Sequence, residues 1–122
     1  MRLLTFLLAI VLTIACASRQ RTAREAPKPL VERYSSLAEA IRVLPNVQVS
    51  GEYVTFRGNT SINGDQEMRF LVDGRIVGTY ANAQNLYPLS EIRRVRLIRP
   101  QEAAANFGAL GSNGLIELVL MP

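Results

Sequence analysis

The sequence has no histidine, no tryptophan and only one cysteine among its 122 residues. Without an imidazole, neither a serine–histidine–aspartate triad nor a cysteine–histidine pair can be assembled. One thiol cannot form a disulfide within the chain, and it cannot supply a transition-metal site made of histidine and cysteine. The composition therefore excludes much of the chemistry that small enzymes use.

The residues that are present indicate one small folded domain. Apolar residues make up 48 % of the chain and charged residues 20 %, which argues against a disordered chain and against a polytopic membrane protein. Lysine and arginine total 14 against 10 acidic residues, so the net charge is +4. Thirteen of those 14 basic residues are arginine, which makes guanidinium groups the main candidates for binding.

The N-terminus has the pattern of an export signal. After Met1 and Arg2, an almost wholly apolar run extends from residue 3 to residue 14. As a helix this run would be roughly 18 Å long, which is too short for a hydrocarbon core of about 30 Å. The run therefore predicts a signal peptide over residues 1–15.

Cys16 follows directly, at the end of the sequence LTIAC. This pattern resembles the lipobox of bacterial lipoproteins, in which the thiol carries a diacylglycerol and cleavage leaves cysteine as the first residue. Ala15 matches the small residue before the cut, whereas Thr13 stands where leucine or valine is usual. The resemblance implies lipidation of Cys16 and attachment to a membrane through palmitate-like acyl chains. The alternatives are an ordinary signal peptide with an incidental cysteine and an uncleaved anchor.

Residues 16–33 predict the lipidated cysteine followed by a flexible tether. The stretch is polar, has no helical or strand period, and contains Pro27 and Pro29. Its basic residues either touch anionic headgroups or belong to a solvated linker. The folded domain is expected to occupy residues 34–122.

Helix and strand signals follow one another irregularly in that domain, without a repeated strand–helix–strand unit. Ser36 and Glu39 form a capping box before a short helix, and Asp73 and Gly74 form a hairpin turn. Strands are predicted at residues 47–49, 53–57, 68–72, 75–77, 93–98 and 115–121, helices at 37–44 and from Pro100, and loops at 58–66 and 79–87. This order predicts an α+β fold with a small mixed β-sheet and two or three short helices.

A series of short motifs resembles the plug domain of TonB-dependent outer-membrane receptors. The motifs are SLAEAIRVLPNV at 36–47, FRG at 56–58, FLVDGRIV at 70–77, PLSEIRRVRLI at 88–98, AANFG at 104–108 and GSNGLIEL at 111–118. Each motif is weak alone, but six in the family's order and at suitable spacings are specific. The resemblance covers about residues 35–120 and implies a plug-like fold for residues 34–122.

The resemblance implies an interaction domain of the cell envelope. In the family, the plug is joined to a large β-barrel that forms the pore, and no barrel segment follows before Pro122. We therefore expect an outer-membrane lipoprotein whose plug-like domain is an accessory module on one face of that membrane, and not a transporter by itself. The expected partner is an outer-membrane β-barrel or an uptake complex. The alternatives are a module that binds a small molecule or glycan through the 58–66 and 79–87 loops, and a remnant or split part of a receptor.

Three arginines are the candidate partner-binding residues. Arg94 and Arg96 share one face of a predicted strand, where they either bind an acidic protein, phosphates or an anionic glycan, or keep a charged edge from pairing with other strands. Arg57 either seats against a partner, as plug arginines do against a barrel wall, or makes a local ion pair.

No catalytic, metal or cofactor site is predicted. The candidate carboxylates Asp65, Glu67 and Asp73 lie in or beside turns and form no convincing pair, so the chain is expected not to be an enzyme. Nucleic acid is not an expected partner, because no aromatic residues are interleaved with the arginines.

Overall fold

The computed structural model describes residues 26–58 and 64–122. The predicted signal peptide, Cys16, most of the predicted tether and residues 59–63 lie outside the described residues. Within the described ranges, strands are β1 Val47–Ser50, β2 Tyr53–Phe56, β3 Arg69–Val72, β4 Arg75–Gly78, β5 Ile92–Ile98 and β6 Leu115–Leu120. The α-helices are α1 Leu37–Arg42, α2 Tyr80–Leu86 and α3 Pro100–Phe107, and short 3-10 helices lie at Leu30–Glu32, Leu89–Glu91 and Gly108–Gly111.

Four of the strands form a mixed sheet in the order β4–β3–β6–β5. Strand β6 lies in the interior of this sheet, parallel to β3 on one side and antiparallel to β5 on the other. Strands β1 and β2 form a separate antiparallel hairpin. The predicted α+β fold with a small mixed sheet is therefore confirmed, with the first two strands in a sheet of their own.

Two of the turns use left-handed backbone conformations at predicted positions. Asp73 and Gly74 have φ angles of 50° and 77°, as a type I′ turn between β3 and β4 requires. Asn46 has a φ angle of 58° where the chain turns from α1 into β1, and asparagine tolerates this conformation better than most residues. Local turn chemistry thus fixes the β3–β4 hairpin and the direction in which β1 leaves α1.

Helix α1 begins with half of the predicted capping box. Ser36 Oγ accepts a hydrogen bond from the backbone N–H of Glu39 at 3.2 Å. The Glu39 carboxylate accepts not from Ser36, as predicted, but from the hydroxyl of Ser35 at 2.6 Å and its backbone N–H at 2.8 Å. The prediction is wrong by one residue, because Ser35 offers two donors to the same oxygen. These two bonds, the hydroxyl first, lower the pKa of Glu39.

Residues 79–87 do not form the predicted loop, because helix α2 occupies Tyr80–Leu86. Tyr80 and Ala83 are buried, and the Tyr80 ring lies 6.0 Å from the ring of Phe70 on β3. The helix is short and has several polar residues, so its sequence alone does not mark it. Packing of Tyr80 and Ala83 in the core stabilises it. A short 3-10 helix at Leu89–Glu91 then leads into β5.

The two faces of the four-stranded sheet are covered unequally. The main cluster lies on one face, under α1, α2 and the β1–β2 hairpin, and its buried members are Leu30, Leu37, Ala40, Ile41, Val47, Val54, Met68, Phe70, Val72, Tyr80, Ala83, Ile92, Ile116 and Leu118. The second cluster lies on the other face, under α3, and its buried members are Leu71, Ile98, Ala103 and Leu115. Neighbouring residues of β3 and β6 alternate between the clusters, as successive side chains of a strand must.

Packing begins before Tyr34, where the sequence pattern starts the domain. Leu30 is only 3 % exposed and belongs to the main cluster, although the sequence places it in the tether. The backbone N–H groups of Arg33 and Tyr34 both donate to the Leu30 carbonyl at 2.9 Å. A single apolar residue among prolines and charges has no period, so the sequence pattern did not reveal this contact.

Candidate functional site

Strand β5 lies at the edge of the sheet and carries both of the predicted strand arginines. Arg94 and Arg96 are exposed, whereas the residues that follow each of them pack against the main cluster. On the neighbouring strand β6, Val119 lies opposite Arg94 and Glu117 lies opposite Arg96. We call the part of the sheet that bears Arg94, Arg96, Glu117 and Val119 the open face.

A β-bulge at Arg93 sets this alternation. Ile92 lies opposite Leu120, and the next matched residue, Arg94, lies opposite the next residue back along β6. Arg93 is therefore an extra residue without a partner on β6. Because of this insertion, Ile92 is fully buried in the main cluster although Arg94, two positions later, is exposed.

The two arginines of the open face differ in their electrostatic partners. Arg96 Nε lies 2.9 Å from Glu117 Oε2, in a pair whose side chains are 55 % and 25 % exposed. A pair with this exposure contributes about 1 kcal/mol or less to stability. The side chain of Arg94 has no hydrogen bond or ion pair within residues 26–58 and 64–122. Its charge is therefore available to a partner.

Arg57 lies apart from the strand arginines, at the end of β2. Its backbone N–H donates to the Asn46 carbonyl at 2.8 Å, which closes the β1–β2 hairpin. Its side chain is exposed, and no local ion pair holds it in the described part of the chain. The following Gly58 has a φ angle of 94°, which favours glycine. The structure therefore joins Arg94 and Arg96 on one strand and leaves Arg57 in the other sheet.

The three carboxylates considered for catalysis have local structural contacts. Asp65 pairs with Arg69 at 3.0 Å and accepts the backbone N–H of Glu67 at 3.0 Å. The side-chain amide of Asn113 donates to the backbone carbonyls of Asp65 and Glu67. Burial, and then the nearby charge of Asp65, raise the pKa of Glu67. Asp73 lies in the β3–β4 turn. The three carboxylates therefore lie in turns or beside the ends of strands.

Neither a metal-binding cluster nor a membrane-spanning helix is present in the described ranges. Residues 26–58 and 64–122 contain no group of three or more side chains that could hold a metal ion. The helices of those ranges are all too short or too polar to cross a membrane. Lipidation of Cys16 stays a prediction, because that residue lies outside the described part of the chain.

The structure also contains a groove that the sequence motifs do not predict. This basic groove has a volume of about 780 Å³ and lies between the segment around Leu30, the end of α1 and the start of β5. Its charged lining residues are Lys28, Glu32, Arg33, Arg93 and Arg94, and its apolar ones include Leu30, Tyr34, Val43, Leu44 and Val95. The groove is assembled from two neighbouring segments near the start of the domain and from the distant start of β5. The pair Arg93 and Arg94 is the one sequence signal that could have drawn attention to it.

A family model described as the TonB-dependent receptor plug domain matches residues 28–115. The chain belongs to this family. The plug domain is also similar to TonB-dependent receptor P26 of Formosa agariphila, with 30 % identity over 63 residues. That match covers 52 % of this chain but only 6 % of the length of the receptor. No solved structure matches the chain.

The resemblance predicted from the motifs is therefore confirmed. The matched range of the plug domain begins just before Leu30 and ends at the first residue of β6, so it includes the basic groove and the whole of β5. Plug domains are parts of outer-membrane receptors, and this family is related to transport and not to catalysis. Membership thus connects the chain to the outer membrane at the level of the family.

Proposed function

We propose that this chain is an outer-membrane lipoprotein whose plug domain is an accessory module of the envelope. It binds an outer-membrane β-barrel or an uptake complex, and it neither transports nor catalyses by itself. The observation that carries the proposal is the family match over residues 28–115, which covers nearly all of the described fold. In the family, the plug domain works in contact with a barrel. In this chain, most of the described elements belong to the plug domain.

The open face is the proposed contact with the partner. Arg94 is exposed and its side chain has no ion pair among the described residues, and Arg96 makes one ion pair, with the partly buried carboxylate of Glu117. A guanidinium group offers several donors in a fixed plane and binds carboxylates and phosphates in a bidentate way. Arg57 supplies a second point of attachment from the hairpin. The proposal therefore predicts an acidic surface on the barrel or complex.

Site-specific photo-crosslinking in intact envelopes tests the contact. A photo-reactive residue replaces Arg94 on β5, and in the matched control it replaces Arg75 on β4, the opposite edge of the same sheet. We expect a crosslink to a β-barrel protein, identified by mass spectrometry, from position 94 and not from position 75. Arg94→Glu should lower co-purification of that barrel about tenfold, because like charges across an interface repel. Equal crosslinking from both positions, or a free monomer throughout, contradicts the proposal.

The anchor is tested separately through Cys16. We expect a palmitate analogue to label the wild-type chain and the chain to follow the membrane fraction. Cys16→Ala should remove both the label and the fractionation, because no other cysteine is present to take the lipid. Label retained in the variant would contradict lipidation at this residue, whereas loss of label with crosslinking intact would separate the anchor from the partner.

The alternative of a small-molecule or glycan module has weaker support. That hypothesis relied on two loops, and one of them, residues 79–87, is mainly helix α2.

The alternative of a split receptor makes a prediction that the same crosslinking experiment tests. A barrel found at position 94 and encoded next to this gene, without a plug of its own, favours the split receptor over an accessory module.

A further inference from the structure

We propose that the basic groove binds an anionic lipid, with the lipid phosphate held by arginines and the upper part of an acyl chain lying on the apolar lining. This proposal goes beyond the accessory role, because it assigns a lipid site to a groove that shares only Arg94 with the open face. It would place the start of the domain against the membrane and not merely near it.

The charge of the groove is the first observation. Four cations and one carboxylate line it, so it carries an excess of three positive charges. Arg93 and Arg94 are neighbours in the chain, and neither side chain has a hydrogen bond or ion pair within the described residues. Arg33 lies over the ring of Tyr34, with its guanidinium carbon 5.5 Å from the ring centre. An anion that enters here reduces the repulsion among the arginines and accepts several charge-assisted hydrogen bonds.

The bulge in β5 is the second observation. A regular strand would pair Arg93 with β6, but the inserted residue has no partner there and lines the groove instead. Bulges are frequent next to binding sites, because they redirect one side chain without ending the strand. The same bulge makes Ile92 part of the core, so the arginine is presented from a well-packed strand.

The apolar lining favours a lipid over a free phosphate or an acidic peptide. Leu30, Leu44 and Val95 are buried or half-buried beside the arginines, and Val43 at the same groove is 65 % exposed. A volume of about 780 Å³ lies in the range of sites for small organic ligands and exceeds what a phosphate ion needs. Cations next to exposed aliphatic side chains match a molecule with an anionic head and a hydrocarbon body.

The position of the groove in the chain agrees with this occupant. Lys28, Leu30 and Arg33 belong to the segment through which the chain enters the described fold. Ala26 follows Cys16 by ten positions, and at full extension that stretch spans at most about 36 Å. If Cys16 carries the lipid anchor, the groove can reach the surface of the same membrane.

Vesicle sedimentation tests the proposal without depending on the anchor. The chain from residue 16 onward, with Cys16→Ser to prevent acylation, is mixed with vesicles of phosphatidylglycerol and phosphatidylcholine or with vesicles of phosphatidylcholine alone. We expect binding to the anionic vesicles only. The double variant Arg33→Gln with Arg93→Gln should bind about 20-fold more weakly, since one basic side chain near an anionic surface is worth roughly a factor of five.

The matched control removes the same charge elsewhere. Arg75→Gln with Arg99→Gln changes two exposed arginines outside the groove, and we expect it to retain most of the binding. Equal loss in the two double variants would overturn the proposal, because it would show attraction to net charge without a site. Circular dichroism of all variants checks that each one is folded.

A second pair of variants tests the apolar part. Val43→Ser should weaken vesicle binding at least threefold, whereas Leu110→Ser, at a side chain of similar exposure, should not. No difference between these two would overturn the acyl-chain contact. Binding of the wild-type chain to an acidic peptide but not to anionic vesicles would assign the groove to a protein partner and overturn the lipid site. Because Arg94 lines both the groove and the open face, that outcome would agree with the proposed protein contact at Arg94.

Discussion

The two faces of the four-stranded sheet differ in what covers them. One face supports two helices and a hairpin through the main cluster, which includes fully buried Phe70 and Ile116. Among the described elements, α3 packs on the other face through a cluster of four buried residues, and the remaining area is the open face. Apolar contact is therefore concentrated on one side of the same strands.

The main face of the sheet therefore stabilises the fold, whereas the open face presents exposed side chains for binding. On the main face, a change of side chain disturbs packing among many residues at once. On the open face, substitution of Arg94 or Arg96 should have little effect on the fold. The side chain of Arg94 makes no hydrogen bond or ion pair with a described residue, and that of Arg96 makes one partly exposed ion pair. The following tests compare the two faces directly.

The largest expected effect compares neighbouring residues of β3 that face opposite ways. Phe70→Ala should lower the free energy of unfolding by about 3–5 kcal/mol, because it leaves a cavity in the main cluster. Leu71→Ala should lower it by about 2 kcal/mol, the low end of the range, since α3 alone covers that side. Urea unfolding measures both. A larger loss at Leu71 would reverse the ranking of the two faces.

The next effect concerns the tight approach of the chain to α3. A Cβ atom on Gly111 would meet the Ala103 carbonyl, where backbone atoms leave no room. Gly111→Ala should therefore lower the free energy of unfolding by about 2 kcal/mol through overpacking. The control Gly51→Ala meets nothing within 4 Å, and its φ angle of 61° should cost only about 1 kcal/mol. Equal losses of unfolding free energy in the two variants would show that the residues around Gly111 shift to accommodate a methyl group more easily than the structure implies.

A smaller effect is expected at the start of α1, which covers the main face. Ser36→Ala removes the oxygen that caps the Glu39 amide and should lower the free energy of unfolding by about 1 kcal/mol. Ser50→Ala, at an exposed serine in the hairpin, should change it far less. Thermal unfolding of both variants gives the comparison, and no loss from Ser36→Ala would mean that the cap is not used.

The ion pair of the open face should contribute less still. In a double-mutant cycle, Arg96→Ala and Glu117→Ala should show a coupling free energy below about 1 kcal/mol, because the pair is exposed and screened by salt. The coupling should fall further when salt is raised. A coupling of several kcal/mol would show that this face is part of the stable core.

The last effect is a shift of pKa with little change in stability. Ser35→Ala removes the hydroxyl that lowers the pKa of Glu39, so that pKa should rise toward its usual value of 4.5. Because the folded pKa lies below the unfolded one, this group favours the fold above its unfolded pKa and loses that contribution as the pH falls through the folded pKa. NMR titration of Glu39 in both chains measures the change, and an unchanged pKa would contradict the assigned hydrogen bond.

Much of the fold follows from local signals in the sequence. The hairpin at Asp73, the turn at Asn46 and the cap at Ser36 are each determined by the chemistry of one or two residues, and all three are present in the structure. Helix α2 and the burial of Leu30 depend on contacts with distant strands, and no local pattern reports such contacts.

The candidate sites also divide into features that local sequence patterns predict and features that depend on contacts between distant residues. Alternation along β5 is enough to predict that Arg94 and Arg96 share a face, as the structure confirms. The basic groove depends on a bulge and on the meeting of three separate segments, so it could not be predicted from the order of residues alone. The role of Arg57 stays a prediction, since its side chain meets no described partner.

The place of β6 in the sheet has a consequence for how the domain comes into being. This strand lies between β3 and β5, and its parallel pairing joins Arg69 to Leu115. During synthesis, the two hairpins can form early, but the sheet cannot close until residues 115–120 have left the ribosome. Pairing over such a long stretch of chain slows folding. A nascent chain therefore cannot complete the four-stranded sheet until nearly all of the domain has been synthesised.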